Sequence, residues 1–97
     1  MHGPPKTTVY IIQSQRDPSK FYTGITNDLL NRVDWHNRGG CRHTINEQPW
    51  SVVVSLQFRT ERDAVRFERY LKSGSERAFV KRHFAPLPVV SEIAIEE

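Results

Sequence analysis

Residues 7–25 read TTVYIIQSQRDPSKFYTGI, two short apolar stretches joined by a polar segment. In the first stretch Val9 and Ile11 share one face, and the residues between them face the other way, as in a half-buried strand. The polar segment contains Ser, Asp and Pro, which favour a turn. In the second stretch Tyr22 and Gly24 share a face of a second strand. The chain is therefore predicted to begin with a β-hairpin.

A first helix is predicted over residues 29–37. Asn27 or Asp28 can cap its start, and Gly39-Gly40 can end it. Its predicted buried stripe consists of Leu29, Leu30 and Val33.

Residues 38–49 are predicted to form a polar loop, and Pro49-Trp50 then opens a third strand over residues 51–58. The run Val52-Val53-Val54 predicts burial on both faces of that strand. Thr60-x-x-Asp63 resembles a capping box and predicts a second helix that ends at Lys72.

The second helix is predicted to pack through Ala64, Phe67 and Leu71, and Ser73-Gly74 ends it. Ser75 can cap a third helix that ends near Phe84, with Phe79 packed inward. The fold class is therefore α+β, a small three-stranded antiparallel sheet flanked by helices in the order β-β-α-β-α-α. Residues 1–6 are predicted to be an extension, 7–84 the domain, and 85–97 an acidic tail that contains two prolines.

The charge is distributed unevenly along the 97 residues, whose net charge is +3. Residues 1–84 hold all 14 Lys and Arg against eight Asp and Glu, a balance of +6, and residues 85–97 have a balance of −3. A basic domain suits a polyanionic partner, because each phosphate that it neutralises releases counterions. A balance of +6 is also ordinary for a small domain.

Other function classes are disfavoured by what the sequence lacks. Its apolar runs are too short to span a bilayer, and the N-terminus has no signal-peptide pattern, so we expect no membrane association. Cys41 is the single cysteine, which excludes an internal disulfide and favours a cytoplasmic location. A structural zinc site needs four ligands, and Cys41 with His36 and His43 does not supply them.

Four fragments in a set order carry the functional signal: Thr8-Val9-Tyr10, Tyr22-Thr23-Gly24, Arg32-x-x-x-His36 and Glu68. Their order and spacing resemble the GIY-YIG nuclease superfamily, over roughly residues 7–84. The likeness is greatest to small stand-alone bacterial domains and to the nuclease domain of a eukaryotic structure-specific endonuclease subunit. It implies phosphodiester hydrolysis with a divalent metal ion, Mg²⁺ or alternatively Mn²⁺.

Arg32 and His36 are one helical turn apart, so they lie on the same side of the first helix, at the flank of its apolar stripe. An arginine there can hold two phosphate oxygens in a planar fork. A histidine can donate to a phosphate or assist proton transfer. Without the other fragments, a solvated arginine and a packed histidine would explain the pattern.

The resemblance gives Glu68 the role of metal ligand, because related nucleases place a metal-binding glutamate on this helix. One carboxylate suits a magnesium ion that keeps most of its waters. The alternative is a surface glutamate paired with Lys72 at i+4.

The resemblance also implies that the hydroxyls of Tyr10 and Tyr22 point into the cleft. We expect Tyr10 to act as the general base, while Tyr22 stays an alternative, and both could instead be ordinary strand aromatics.

Further positions are predicted to contact nucleic acid: Gly24, Thr26, Arg38, Arg42, His43 and Lys72. Gly24 can let a phosphate or a side chain approach the backbone. Thr26 and Lys72 stand where family members carry other polar residues. Glu76 departs from the family pattern and could weaken phosphate binding locally.

The positive side chains of the second helix, Arg62, Arg66 and Arg69, form a stripe opposite its core. This stripe could follow a nucleic-acid backbone or could simply be solvated. Trp35 is predicted to lie on the exposed side of the first helix, where it could stack on a base, contact another protein or pack under the following loop. The tail could also contact another protein.

The sequence therefore predicts a metal-dependent endonuclease that acts on DNA in repair or recombination, with RNA as a further substrate to test. The alternative is a nucleic-acid-binding module of the same fold that cuts weakly or needs a partner. A third hypothesis is a subunit or homodimer that associates through Trp35 or the tail.

Overall fold

The protein contains one three-stranded antiparallel sheet. The computed structural model describes residues 4–84, except for the side chain of Arg77. The strands are β1 (Thr8–Ser14), β2 (Phe21–Thr26) and β3 (Trp50–Gln57). Their spatial order is β2-β1-β3, so the first strand is central and the other two are edges. The predicted α+β sheet and its hairpin are confirmed. The predicted tail lies outside the described residues.

Helical segments follow the order predicted from the sequence. They are α1 (Leu29–Asn37), a 3₁₀ turn (Ile45–Glu47), α2 (Glu61–Tyr70), a π-helical turn (Leu71–Ser75) and α3 (Glu76–His83). The order β-β-α-β-α-α is confirmed. None of the helices within residues 4–84 is both long enough and apolar enough to cross a membrane.

Two of the three predicted helix caps are present. The Asp28 carboxylate accepts from the Asn31 backbone N–H at 3.2 Å, and the Thr60 hydroxyl accepts from the Asp63 N–H at 3.1 Å. Each bond satisfies an N–H that has no partner inside its helix. The prediction for Ser75 is wrong, because its side chain makes no capping hydrogen bond. There α3 continues directly from the π-helical turn.

β1 is buried on both faces, not on one face as its sequence pattern suggests. Val9 and Ile11 pack on one side against Ala64, Leu71 and Val80 of the second and third helical segments. Tyr10 and Ile12 pack on the other side with Trp50, against Leu29 and Val33 of α1. The central position in the sheet explains this, because helices cover both of its faces.

Two predicted core residues are exposed. Leu30 is 83% exposed, because α1 faces the sheet through Leu29, Val33 and His36 and its neighbouring position points to solvent. Val52 is 42% exposed. It lies on an edge strand next to a register shift, where Ile11 pairs with Val54 and Ile12 with Val52. The predicted core of α2 is correct, with Ala64 and Leu71 fully buried and Phe67 packed against them.

Candidate active site

Tyr10 and His36 form the buried centre of the site. The strand places Tyr10 on the face that α1 covers, and its hydroxyl lies 2.8 Å from Nε2 of His36. His36 is 0% exposed and Tyr10 is 2% exposed. The expectation that His36 donates to a phosphate is therefore wrong, because a fully buried imidazole ring does not reach a phosphate at the surface. The alternative role, assistance in proton transfer, fits the contact with Tyr10.

Thr44 determines which nitrogen of His36 carries the proton. Its hydroxyl donates to the Cys41 carbonyl oxygen at 3.3 Å, so its lone pairs remain for Nδ1 of His36 at 2.9 Å. We therefore assign the hydrogen to Nδ1, which leaves Nε2 as the acceptor of the Tyr10 O–H. The indole N–H of Trp50 donates to the Thr44 carbonyl at 2.8 Å and holds this loop in place.

Burial keeps this pair in its neutral form. Burial, and then the charge of Arg32, lowers the pKa of His36 from 6.5 to about 4. Burial also raises the pKa of Tyr10 well above its usual value; Tyr22, Cys41 and Glu68 raise it further, and Arg32 lowers it. At neutral pH the proton therefore stays on Tyr10.

Tyr22 borders the same centre from the edge strand. Its ring lies 5.0 Å from the His36 ring, centroid to centroid, and Nζ of Lys72 lies 5.1 Å from the centroid of the Tyr22 ring. Burial first, and then the Cys41 thiol, raises the pKa of Tyr22. Cys41 is itself buried. Its thiol therefore lies beside the Tyr22 hydroxyl and forms part of the wall of the site.

Gly24 makes room for Tyr10. The two residues are paired across the hairpin, and a Cβ atom at Gly24 would overlap the Tyr10 hydroxyl. The sequence predicted that a phosphate or a side chain approaches this glycine, and the structure shows a side chain. Gly24 is buried, so its predicted contact with nucleic acid is wrong.

Thr26 is also unsuited to its predicted contact with nucleic acid. Its side chain is 2% exposed. The hydroxyl accepts from the Asp28 N–H at 3.0 Å and donates to the Asp28 carbonyl at 3.3 Å. Thr26 therefore shapes the turn that leads into α1, which is a common use of threonine at such turns.

Arg32 is held in place by Trp35. The guanidinium carbon lies 4.7 Å from the centroid of the Trp35 ring, a cation–π contact that orients the planar group. Both side chains line a cavity of about 390 Å³ at the start of α1. Trp35 is 37% exposed, as predicted, and a Cβ atom at Gly40 would overlap its ring. The partly exposed Arg32 fork is thus preoriented for an anion.

Glu68 of α2 and Lys72 of the turn that follows α2 complete the site. Nζ of Lys72 lies 3.5 Å from Oε2 of Glu68, and the two side chains are 46% and 18% exposed. Glu68 raises the pKa of both tyrosines and Arg32 lowers it. Both charged groups therefore lie within electrostatic reach of the two hydroxyls, although they come from different helices.

The donor set around Glu68 suits a hydrated ion better than a closed metal site. Residues 4–84 bring together no group of three or more His, Cys, Asp or Glu side chains. A lone, partly exposed carboxylate fits magnesium, which keeps several waters and needs few protein ligands. Glu68 would hold such an ion in competition with the ammonium group of Lys72.

The family is decided by a match over most of the chain. The GIY-YIG catalytic domain model matches residues 6–82. The chain belongs to the GIY-YIG family.

Similar proteins include a homolog of a structure-specific endonuclease subunit and proteins named UPF0213. The GIY-YIG domain is 37% identical over 62 residues to the structure-specific endonuclease subunit SLX1 homolog of Giardia intestinalis, covering 60% of this chain and 17% of that protein. It is 38% identical over 55 residues to the UPF0213 protein YazA of Bacillus subtilis, covering 56% of each. The chain thus spans less than two thirds of the length of both relatives. The UPF0213 protein BH0048 of Bacillus halodurans, solved by NMR, matches with 29% identity and a TM-score of 0.49, over 79% of this chain and 81% of that one.

The surface of the GIY-YIG domain carries the predicted positive charge. Arg38 is 75% exposed and pairs with Asp34 at 2.8 Å. Arg42 and His43 are exposed in the loop after α1. The predicted stripe on α2, Arg62, Arg66 and Arg69, is exposed as well. These groups do not contact the buried tyrosine–histidine centre, so their predicted role in binding a nucleic-acid backbone stays a prediction.

The sequence analysis of the GIY-YIG domain missed three contributors: Thr44, Trp50 and Cys41. Residues 38–49 were expected to be a polar loop, yet Cys41 and Thr44 within it are buried. The apolar Trp50 directly after the loop was the available signal, because a buried indole N–H requires an acceptor close by. That acceptor is the Thr44 carbonyl.

Proposed function

We propose that this GIY-YIG domain is a divalent-metal-dependent endonuclease that hydrolyses phosphodiester bonds in DNA, in repair or recombination. The observation that carries the proposal is the hydrogen bond between Tyr10 and His36, in a site that Arg32 and Glu68 approach from two helices. The family and the name of the Giardia relative support a nuclease. Similar positive surfaces bind the backbone of nucleic acids.

Arg32 is the residue that we assign to the phosphate. Its guanidinium is oriented by Trp35 and partly exposed. A bidentate contact with two nonbridging oxygens would place the phosphorus beside Tyr10 and Tyr22. The same contact strengthens as negative charge develops on the pentavalent phosphorus, so it favours the transition state.

Tyr10 and His36 together accept the proton of the attacking water. The water O–H proton passes to the Tyr10 oxygen, while the Tyr10 proton passes to Nε2 of His36. The water oxygen forms a bond to phosphorus, and the bond from phosphorus to the leaving sugar oxygen breaks. Tyr10 never has to exist as a free tyrosinate, which its raised pKa disfavours.

Substrate binding makes His36 a better base. The charge of Arg32 contributes to the low pKa of His36. A phosphate bound to Arg32 would offset that charge and remove the smaller cause of the low pKa of His36, while burial, the larger cause, continues to lower it. The proton acceptor is therefore weak in the free protein and stronger when a phosphate is in place.

Glu68 is the residue that we assign to the metal. A magnesium ion there would act as a Lewis acid on the phosphate oxygens. Lys72 contacts the same carboxylate, and we assign it to the phosphate backbone, to which it could turn when the carboxylate is occupied. The Tyr22 ring contacts both the His36 ring and Lys72, so we assign it to the side of the site that borders Lys72.

One observation favours the alternative, a nucleic-acid-binding module that cuts only together with a partner. The pKa of His36 and that of Tyr10 are both shifted in directions that oppose proton transfer between them. A partner that supplies further charge could overcome this. The name of the Giardia relative includes the word subunit, which supports testing a partner. Trp35 is the exposed aromatic residue that we propose for such a contact, and the lone Cys41 supports a cytoplasmic location.

The experiment that tests the proposal is a cleavage assay on a panel of labelled DNA structures. The panel contains single strands, duplexes, flaps, forks and four-way junctions, with matched RNA, each incubated with Mg²⁺, Mn²⁺ or chelator. We expect metal-dependent product from at least one DNA substrate. A complete lack of product with protein in excess over every substrate would contradict the endonuclease proposal.

A further inference from the structure

A second cavity borders Tyr22. Its volume is about 520 Å³, within the range of small-molecule sites. Phe21, Tyr22 and Thr23 line it from the edge strand β2, with the Tyr22 ring beneath Nζ of Lys72, and Lys72, Gly74 and Glu76 line it from the helical side. Tyr22 and Lys72 also border the catalytic site. The cavity therefore adjoins the proposed catalytic site through these two residues.

The π-helical turn Leu71–Ser75 forms one wall of this cavity. Gly74 lies outside helical geometry in this segment and kinks the chain between α2 and α3. Leu71 anchors the turn in the core at 0% exposed. Gly74 has a φ of 108°, and no atom lies within 4 Å of the position that its Cβ would take. The turn thus leaves an open mouth, with Lys72 before the glycine and Glu76 after it.

The rim of the cavity carries a positively charged side chain, and its wall carries a negatively charged one. Lys72 is 46% exposed, at the rim. Glu76 lies on the inner wall, where one of its carboxylate oxygens accepts the hydroxyl of the buried Thr23. A carboxylate on the wall repels a phosphate, whereas the ammonium group at the rim attracts one. The interior therefore favours a group that is flat, largely apolar and able to donate a hydrogen bond.

We propose that this cavity binds one nucleobase, unstacked from its neighbours, of the nucleotide next to the cut phosphate. The base stacks on the face of the Tyr22 ring that Lys72 covers in the free protein, its exocyclic amino group donates to Glu76, and its phosphate contacts Lys72. This inference rests on the proposed endonuclease function, since it deepens the description of the same site. Bases with an amino group, such as cytosine, are favoured over thymine, which lacks one.

The test measures binding in chelator, so that it does not depend on cleavage. A labelled fork with a single-stranded arm fixes the register at the junction. Each position of the arm is changed in turn to cytosine, thymine or an abasic unit, and affinity is read by fluorescence anisotropy. At one position we expect the abasic unit to weaken binding roughly 5- to 100-fold, the range seen for one stacked base. Cytosine should bind more tightly than thymine there.

The decisive variant is Glu76→Gln. Its control is Glu61→Gln, which removes one negative charge at an exposed position on α2. Glutamine can donate as well as accept, so Glu76→Gln should lose the preference for cytosine, and Glu61→Gln should keep it. Thr23→Val, which retains the shape of Thr23 but not its hydroxyl, should weaken the preference in the same direction.

Two results would overturn the base site. One is equal affinity for abasic and normal arms at every position. The other is a gain in affinity of Glu76→Gln that is the same for all arms, which would mean that the cavity holds a backbone phosphate. A protein that shows the base preference but never cuts would contradict the endonuclease function alone. A protein that cuts without any base preference would contradict the base site alone.

Discussion

The hydroxyl of Tyr10 lies 2.8 Å from Nε2 of His36, and neither side chain is more than 2% exposed. Tyr10 comes from the central strand and His36 from the last turn of α1, 26 residues later. Thr44 holds the opposite nitrogen of the ring at 2.9 Å. The site therefore contains a chain of buried hydrogen bonds that joins the central strand, α1 and the loop after α1, and the first two predictions test this chain.

Thr44→Val should slow cleavage without weakening DNA binding. The change removes the acceptor for the Nδ1 hydrogen of His36, so the imidazole loses its fixed tautomer and Nε2 is no longer held as acceptor. We expect the single-turnover rate to fall by roughly 10²-fold, the lower end of general-base contributions. Thr44→Ser keeps the hydroxyl and should retain most of the rate. Equal rates for the valine and serine variants would remove Thr44 from the proton path.

The stability of the protein should fall in mild acid because of His36. Its pKa is 6.5 unfolded and about 4 folded, so between these values the unfolded state binds more protons. The contribution of neutral His36 to the free energy of unfolding is fully present above pH 6.5 and is lost as the pH falls through about 4. The total loss is on the order of 3 kcal/mol. Urea unfolding at several pH values measures this, with NMR titration of the His36 ring. His36→Gln should flatten the pH dependence over this window, and an NMR pKa near 6.5 would refute the assignment.

Glu68→Gln should abolish metal-dependent cleavage and leave folding and DNA binding nearly intact. The amide has the same shape but is a poorer ligand for a divalent ion, and Glu68 lies at the flank of the core. Single-turnover assays over a range of Mg²⁺ concentrations test this, with Glu61→Gln as the matched control on the same helix. Cleavage at the wild-type rate by Glu68→Gln would show that the metal ligand lies elsewhere.

Arg32→Lys should cut far more slowly than the wild type. Lysine keeps the charge but loses the planar fork and the stacking on Trp35. The loss of one donor to the transition state typically costs about 10²–10³ in rate. Arg38→Lys, at the exposed end of the same helix, is the control and should cut normally. If the two lysine variants cut equally fast, Arg32 is only a surface charge.

DNA binding should weaken steeply with salt and depend on the loop after α1. Each phosphate contact contributes about 0.9 to the slope of log affinity against log salt. Replacing Arg38 and Arg42 with alanine should lower that slope by about 2, with the single-turnover rate at saturating DNA unchanged. Because Arg38 already pairs with Asp34, Arg42→Ala alone separates the two contributions. An unchanged slope would assign the binding to another surface, such as the stripe on α2.

The sequence determined the order of elements because the signals for them are local. Alternating apolar residues, the caps Asp28 and Thr60, and the break at Gly74 act over a few neighbouring residues, and the structure agrees with them. Tyr10, Tyr22, Arg32, His36 and Glu68 were also identified from the sequence, by resemblance, and the structure brings them together. Their individual roles stay predictions.

Only the tertiary structure decided which side of each element faces the core and which distant groups meet. The pattern of α1 suits burial of Leu30 as well as of His36, and packing against the sheet selected His36. The contacts of Thr44 with His36 and of Thr23 with Glu76 join residues 8 and 53 positions apart. Such pairs leave no periodic trace in the sequence, because they depend on how helices and loops pack across the sheet and not on the conformation of any one segment.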